Sequence, residues 1–538
     1  MSTLKVNDSK QSMTKGFVIL SVAGLLVKVI SVLYNPIIKK ILGPEGFGIY
    51  GAAYQIFTYV YILTNSGIPI GISKGVAEQL ALGNARDAHR YFKLSKVILG
   101  FLGMVGAVFM FMFSEQLASL VGWPKSAMAL RYISPTIFFT AVLSSYRGYF
   151  QGREIMTPTG VSQVFEQIVN TVFSLGFAYL FISTSIEKGV AGGTVGTSIG
   201  AFMALLIIIW FYKKNKYDRY LIKHKRSLSD RQLMNKLAAY AVPITVCAGI
   251  QQLGLVIDPR IINAKLSIIP DFNSEIIAAY YGDLFAYNQL IFVPITIITA
   301  LAAAVIPAIT SAITKNDKKE AVHKIKYAYK LCFMVAIPSA IGLTVLANQV
   351  SQILGYDKGA TPKLLMYGSI VLVFMAIMQI QTSVLQGLGK LYNVTAIAVI
   401  GLIAKVLVNG YLIPIPHINI FGAVIGNLIG FLVIVFLNSI LIRKSIKKRI
   451  NMVAIGFPSF IASLIMGGVV IGTYILMSLV LGKGWIGNLV CTMISIGVGI
   501  LVYGLVMMIS GGITKSDLNM FPGAIRRRIP KVLLNKMK

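Results

Sequence analysis

The most informative part of this sequence is the stretch from Gly16 to Gly43, GFVILSVAGLLVKVISVLYNPIIKKILG. It has the length and apolarity of a membrane-spanning helix, yet Lys28 lies near its middle. A lysine at that depth costs about 2.5–3.5 kcal/mol on insertion scales, so its side chain should face protein or water rather than lipid. Asn35 and Pro36 then interrupt the apolar run, and a broken helix with a central cation is typical of the wall of a polar cavity. A lysine that snorkels or pairs structurally would explain the same pattern.

The composition is that of a polytopic membrane protein. Of the 538 residues, 56% are hydrophobic and only 13% are charged, whereas an ordinary soluble domain has about 25% charged residues. The net charge of +32 would suit nucleic acid, but the basic residues cluster between apolar runs, as membrane topology requires. We therefore expect no nucleic-acid partner. The short polar N-terminus has no cleavage site of the signal-peptide type, so we expect no cleaved signal.

Apolar runs long enough to cross the hydrocarbon core recur fourteen times. The predicted spans are 17–38, 49–72, 95–116, 128–149, 161–183, 189–212, 237–258, 281–311, 328–349, 364–387, 392–414, 420–442, 455–479 and 486–509. Basic loops alternate with loops poor in basic residues, which places both termini in the cytoplasm of a bacterial plasma-membrane protein. An even number of spans agrees with that topology.

The chain also repeats itself in two halves. The glycine row Gly192, Gly196, Gly200 recurs 230 residues later as Gly422, Gly426, Gly430. The pair Gln151-Gly152 recurs 235 residues later as Gln386-Gly387, and Asn170 recurs 239 residues later as Asn409. Six spans in each half predict a pseudo-two-fold axis along the membrane normal and transport by alternating access, although channels use symmetric repeats too.

These patterns predict an all-α membrane protein with two six-helix lobes and two extra helices. The predicted parts are an N-lobe at 1–212, a basic cytoplasmic linker at 213–236, a C-lobe at 237–442, and spans 13 and 14 with a basic tail at 443–538.

Few ionisable residues lie inside the predicted spans. Glu166 and Lys405 occupy matching positions in the two repeats and have opposite charges. We expect them either to face each other near the axis or to close a polar contact each within its own lobe. Asp258 and Arg260 flank Pro259 at the outer end of span 7. We interpret this tripeptide as a helix stop, and an outer gate is the alternative.

Polar side chains in the leading spans of each repeat would suit a hydrated cavity; they include Tyr34, Asn35, Gln55, Gln252 and Gln289. Ordinary hydrogen bonds between helices explain any one of them equally well.

The sequence contains little that would indicate an enzyme. It has no phosphate-binding loop, no nucleophile elbow and no metal-ligand motif. The four histidines all fall in loops, and Cys247, Cys332 and Cys491 lie in or beside apolar runs without ligand spacing. We therefore expect no catalytic residue, no metal and no cofactor, and we interpret the cysteines as small buried apolar residues.

Four stretches carry a resemblance to a known family. They are LVKVISVLYNPIIKKILG at 26–43, IPIGISKGVAE at 68–78, RGYFQGREIMTPTGVSQVFEQIV at 147–169 and VIPAIT at 305–310. Together they resemble the stage V sporulation protein B-like and MurJ/MviN-like branch of the multidrug/oligosaccharidyl-lipid/polysaccharide exporter superfamily, across nearly the whole chain.

The resemblance implies a flippase that moves an undecaprenyl-pyrophosphate-linked saccharide, in many members the peptidoglycan precursor lipid II, from the inner to the outer leaflet. The family holds the pyrophosphate with basic residues, and Lys28 falls where it has a span-1 Arg or Lys. Tyr34 and Gln289 stand where Gram-negative members have arginines, and Asn35 stands where they have Asp. The resemblance therefore defines the class of transporter better than the glycan.

Other functions stay open at this point: export of another lipid-linked polysaccharide unit, cation-coupled multidrug export within the same superfamily, and a non-transporting scaffold for envelope assembly. An inside-negative membrane potential would favour outward movement of an anionic headgroup by about 2.3 kcal/mol per charge per 100 mV, and coupling to a monovalent ion is the alternative. We expect a monomer whose partners are the lipid-linked oligosaccharide and membrane lipids, in a vegetative or a sporulation-specific role.

Overall fold

The computed structural model describes residues 13–65, 67–214, 228–314, 317–482 and 484–512. The regular elements over these ranges are helices. Their contacts group the chain into two units, residues 1–282 (unit 1) and 283–538 (unit 2). The two units are defined by contacts in the structure, whereas the predicted lobes are defined by the sequence repeat. The boundary between the units therefore differs from the boundary between the lobes.

Unit 1 contains, in chain order, α1 (Met13–Asn65), α2 (Ile68–Ala81), α3 (Ala85–Met112), α4 (Ser114–Leu120), a 3₁₀ turn (Pro124–Ser126), α5 (Ala127–Ile133), α6 (Pro135–Gly152), α7 (Thr157–Ile182), α8 (Ile186–Lys214), α9 (Asp230–Gln251) and α10 (Gly254–Leu266). The next helix, α11 (Ser274–Thr314), begins in unit 1 and continues into unit 2.

Unit 2 then contains α12 (Lys318–Val345), α13 (Ala347–Ile353), α14 (Thr361–Gly368), α15 (Ile370–Gly387), α16 (Leu391–Leu412), α17 (Phe421–Ile446), α18 (Met452–Leu481) and α19 (Trp485–Ile509).

Within the described ranges, twelve helical segments are long and apolar enough to cross a membrane, or thirteen with the bent pair Pro124–Ile133 and Pro135–Gly152. One segment, Val22–Ala81, is 60 residues long, well over the length of one crossing, and it contains predicted span 2 and the part of predicted span 1 from Val22 onward. The predicted fold class, an all-α polytopic membrane protein of about fourteen helices, is confirmed.

The break in α1 lies at Gly43, not at Pro36. Gly43 has a φ of 73° and a ψ of 175°, while Pro36 lies inside the helix. Prolines are tolerated inside membrane helices because neighbouring groups satisfy the freed carbonyl. Gly43 adopts its positive φ without the steric cost that a Cβ would add, so the first helical segment continues past residue 38, the predicted end of span 1, to this glycine.

Predicted span 7 also breaks elsewhere than expected. α9 ends at Gln251 and α10 begins at Gly254, so Asp258 and Arg260 lie inside a helix that continues to Leu266. The interpretation of Asp258 as a helix stop is therefore wrong. The helix continues through Pro259, whose own carbonyl accepts a hydrogen bond from Trp123 Nε1 at 3.1 Å.

The glycine row of α8 packs directly on the backbone of α7. A Cβ added at Gly196 would overlap the Ser174 amide nitrogen, and one added at Gly200 would lie 2.7 Å from the Glu166 carbonyl oxygen. Small residues of this kind let membrane helices approach closely.

The same packing recurs between α17 and α16 in unit 2. A Cβ added at Gly426 would overlap Asn409 Oδ1, and one added at Gly430 would lie 3.1 Å from Lys405 Cβ. The register of the sequence repeat is thus also the register of helix packing.

Candidate functional site

A polar cavity of about 340 Å³ lies inside unit 1, between α1, α7 and α8. Gly24 and Val27 form part of its wall, and the polar side chains that line it are Tyr54, Gln163, Glu166, Gln167, Asn170 and Thr197. All three helices belong to candidate membrane spans. Polar and ionisable groups are costly at that depth and usually mark a functional site, so we take this cavity as the candidate site.

One face of α7 supplies most of the polar wall. Gln163, Glu166, Gln167 and Asn170 follow the spacing i, i+3, i+4, i+7, which places them on a single side of a helix. The sequence interpretation singled out Glu166, named Asn170 only as a position of the internal repeat, and missed Gln163 and Gln167. Their spacing was the signal that could have identified the whole face.

Glu166 is held by an ion pair inside unit 1. The Arg147 Nη2 on α6 donates to Glu166 Oε2 at 2.7 Å, and Arg147 Nε donates to Ser162 Oγ at 3.0 Å. The two charged side chains are only 15% and 24% exposed. Glu166 therefore closes a polar contact within its own unit. Lys405 is half-buried on α16 of unit 2.

A hydrogen-bonded chain continues from the cavity between α1 and α8. The hydroxyl groups of Tyr54 and Thr197 are hydrogen-bonded to each other. Asn170 Oδ1 then accepts from Thr197 at 3.2 Å and from Ser174 at 2.9 Å. The polar atoms of three helices satisfy one another here, which fixes the shape of the cavity wall.

Tyr34 lies in helix packing rather than in the cavity wall. Its hydroxyl is 2.9 Å from that of Tyr50 and donates to the Gly193 carbonyl at 3.5 Å. Its neighbour Asn35 is buried too.

The other predicted residues are spread along both units. Lys28 is half-buried on α1, directly after cavity-lining Val27, and Gln55 is half-buried directly after Tyr54. Gln252 is exposed at the end of α9, and Gln289 is half-buried on α11 in unit 2. The predicted substrate-binding set stays a prediction.

Of the two residues predicted to form an outer gate or a helix stop, Arg260 contacts the end of α4 in unit 1. The Arg260 guanidinium donates to the Leu120 carbonyl, and the Trp123 ring lies 4.8 Å from that of Tyr281. Asp258 is half-buried on the same helix as Arg260. Across the ranges that the structure describes, no group of three His, Cys, Asp or Glu residues could hold a metal ion.

We expect Arg147→Met to destabilise the protein by about 1–3 kcal/mol, because it leaves the Glu166 carboxylate without its charged partner in a poorly hydrated site. The double variant Arg147→Met/Glu166→Gln should recover part of that loss. Thermal unfolding of the purified variants in detergent measures both. Equal melting temperatures for the wild type and Arg147→Met would contradict a stabilising role for the pair.

Comparisons with known proteins are consistent with a transporter. A family model described as polysaccharide biosynthesis protein matches residues 13–313. Stage V sporulation protein B of Bacillus subtilis is 26% identical over 441 residues, covering 81% of this chain and 84% of that protein. The lipid II flippase MurJ of the same organism is 23% identical over 451 residues, covering 80% and 82%.

Solved structures share the fold. A lipid II flippase MurJ in an inward closed conformation aligns with a TM-score of 0.64 at 18% identity, covering 91% of this chain and 98% of that one. An inward-facing multidrug resistance transporter of the MATE family, in the MOP superfamily, aligns with a TM-score of 0.65 at 17% identity, covering 79% and 98%.

Proposed function

Because this chain belongs to the polysaccharide biosynthesis protein family, in the stage V sporulation protein B-like and MurJ-like branch of the MOP superfamily, we propose that it flips a lipid-linked saccharide. The substrate is an undecaprenyl-pyrophosphate-linked saccharide, with lipid II as the first candidate. Transport runs from the inner to the outer leaflet by alternating access, with both termini in the cytoplasm. The protein acts as a monomer and needs no catalytic residue or cofactor.

The observation that carries this proposal is the polar cavity between helices long and apolar enough to span a membrane, with Lys28 directly after the lining residue Val27 in the chain. A diphosphate is too polar to cross hydrocarbon unaided, while its prenyl tail can stay in lipid. Side-chain amides such as that of Gln163 offer donors to a sugar or a phosphate. A lysine ammonium adds the positive charge that a diphosphate requires.

Two observations favour a flippase for a lipid-linked saccharide over a cation-coupled multidrug exporter. The membrane carboxylate of the cavity, Glu166, is already paired with Arg147, whereas a cation site calls for a carboxylate that the cation itself neutralises. The relatives at 26% and 23% identity are named for sporulation and lipid II flipping. The membrane potential drives the anionic headgroup outward.

The test is the accessibility of the headgroup in cells depleted of this protein. We expect the lipid-linked precursor to accumulate on the inner leaflet, so an externally added enzyme that cleaves exposed headgroups should release less product. Re-expression of the wild-type chain should restore release. Unchanged release after depletion, in cells without another flippase, would contradict the proposal, and a scaffold function would then fit better.

A further inference from the structure

Unit 2 contains a second cavity, of about 410 Å³, at the ends of its helices. Lys318 begins α12, Lys390 precedes α16 and Lys444 lies in the last turn of α17. These three lysines and the apolar side chains of Ile313, Leu388 and Leu441 line the cavity. The volume is within the range of ordinary ligand sites, about 300–1,000 Å³.

No carboxylate is among the described residues that line this cavity. The acidic residues at the start of α12 are used elsewhere. Asp317 accepts a hydrogen bond from the Glu320 amide at 2.9 Å, and Glu320 forms an ion pair with Lys324 at 2.6 Å. Three ammonium groups therefore surround one space without an acidic group in its wall.

In unit 1, by contrast, two basic residues near helix ends are paired with carboxylates. Arg90 forms ion pairs with Asp87 at 2.8 Å and with Asp230, and Lys236 pairs with Glu78 at 2.6 Å. Membrane topology explains why lysines occur in these loops. It does not explain why three of them, from three separate helices, converge on a cavity in unit 2.

The turn that carries Lys390 is fixed by packing. A Cβ added at Gly387 would lie 3.0 Å from the Ile306 carbonyl oxygen, and Thr310 Oγ1 donates to the Gly387 carbonyl at 3.1 Å. Gly389 then takes a φ of 73° directly before the lysine. The turn therefore packs against α11, which holds the backbone before Lys390 in place.

We propose that this cavity binds the phosphate group of an anionic phospholipid. Basic pockets between membrane helices suit anionic headgroups, and the lysines here lie where five helices begin or end, at the boundary between membrane and water. Ile313 is 38% exposed beside them, and the apolar wall suits the glycerol and first acyl carbons of a lipid better than it suits a free phosphate ion.

The experiment measures thermal stabilisation of the purified full chain by short-chain phosphatidylglycerol, phosphatidylcholine, inorganic phosphate and pyrophosphate. Binding to the native state raises the free energy of unfolding with the logarithm of one plus the ratio of ligand concentration to Kd, so the melting temperature rises with ligand concentration. We expect phosphatidylglycerol to stabilise the wild type and phosphatidylcholine to have no such effect. Each Lys→Gln change at 318, 390 or 444 should raise the apparent Kd about fivefold, or about 1 kcal/mol, and the triple variant about 100-fold.

The matched control is the triple variant Lys319→Gln/Arg443→Gln/Lys448→Gln, which removes the same charge from exposed neighbours outside the cavity wall. It should bind like the wild type, and a Lys→Arg triple at the cavity should retain binding. Stabilisation by inorganic phosphate or pyrophosphate with the same dependence on the three lysines would support the phosphate site but assign it to a soluble ligand. Equal losses in the cavity triple and the control triple, or no stabilisation by any probe, would overturn the proposal.

Discussion

Replacing Lys28 with alanine is expected to lower transport of the lipid-linked substrate at least tenfold, whereas Lys28→Arg should retain most of it. Hydrogen bonds to a charged group are worth about 1.5–3 kcal/mol, and about 1.4 kcal/mol corresponds to a factor of ten. Arginine keeps the positive charge and adds donors that match a phosphate. The release of externally exposed headgroup from cells that depend on the variant measures the effect.

Lys40→Ala is the matched control for this experiment. Lys40 lies twelve residues further along α1 and is exposed, so its loss removes the same charge from the same helix without touching the cavity region. We expect near wild-type transport. Wild-type transport in Lys28→Ala at normal protein levels would remove Lys28 from the mechanism.

The second large effect is expected at Gly196, where alanine should destabilise unit 1 by about 3 kcal/mol. The added methyl group would overlap the Ser174 amide nitrogen and lie 2.6 Å from the Asn170 carbonyl oxygen. Both are backbone atoms that cannot rotate away, so α7 and α8 must separate, which has the cost of an overpacked interface. The fraction of monodisperse protein after heating, followed by size-exclusion chromatography, measures the loss.

Gly176→Ala on α7 provides the control, because no atom lies within 4 Å of the added Cβ. Alanine has the better helix propensity, by about 1 kcal/mol, so this variant should be as stable as the wild type or slightly more stable. Gly426→Ala in unit 2 should destabilise in the same direction but by less, since its Cβ would overlap the Asn409 side chain, which can rotate, and would lie 3.2 Å from the Lys405 carbonyl oxygen. Equal stability of all three variants would contradict close packing in both halves.

The features that the sequence predicted well are those set by periodicity. The number of spans and the glycine register follow from apolar length and from four-residue spacing, which change little with tertiary context. Breaks in helices were harder to predict. Pro36 and Pro259 lie inside helices that continue past them, which membrane helices tolerate, while Gly43 breaks α1 through a backbone angle that no composition rule reveals.

The candidate site was only partly predictable for a related reason. Lys28 and Glu166 stand out as charges in apolar runs, but Gln163, Gln167 and Thr197 are ordinary polar residues until the helices are assembled. Arg147 begins the stretch 147–169 that carries the family resemblance, and its pairing with Glu166 depends on how α6 packs against α7. Pairwise contacts between distant helices are not encoded in local spacing.

The cysteines of this chain have a practical consequence. The sequence contains three, and Cys247, Cys332 and Cys491 are all buried without a disulfide partner. A single cysteine introduced at an exposed loop position would therefore be the reactive thiol for a membrane-impermeant maleimide. The natural chain already serves as the unreactive background for mapping which loops face each side of the membrane in living cells.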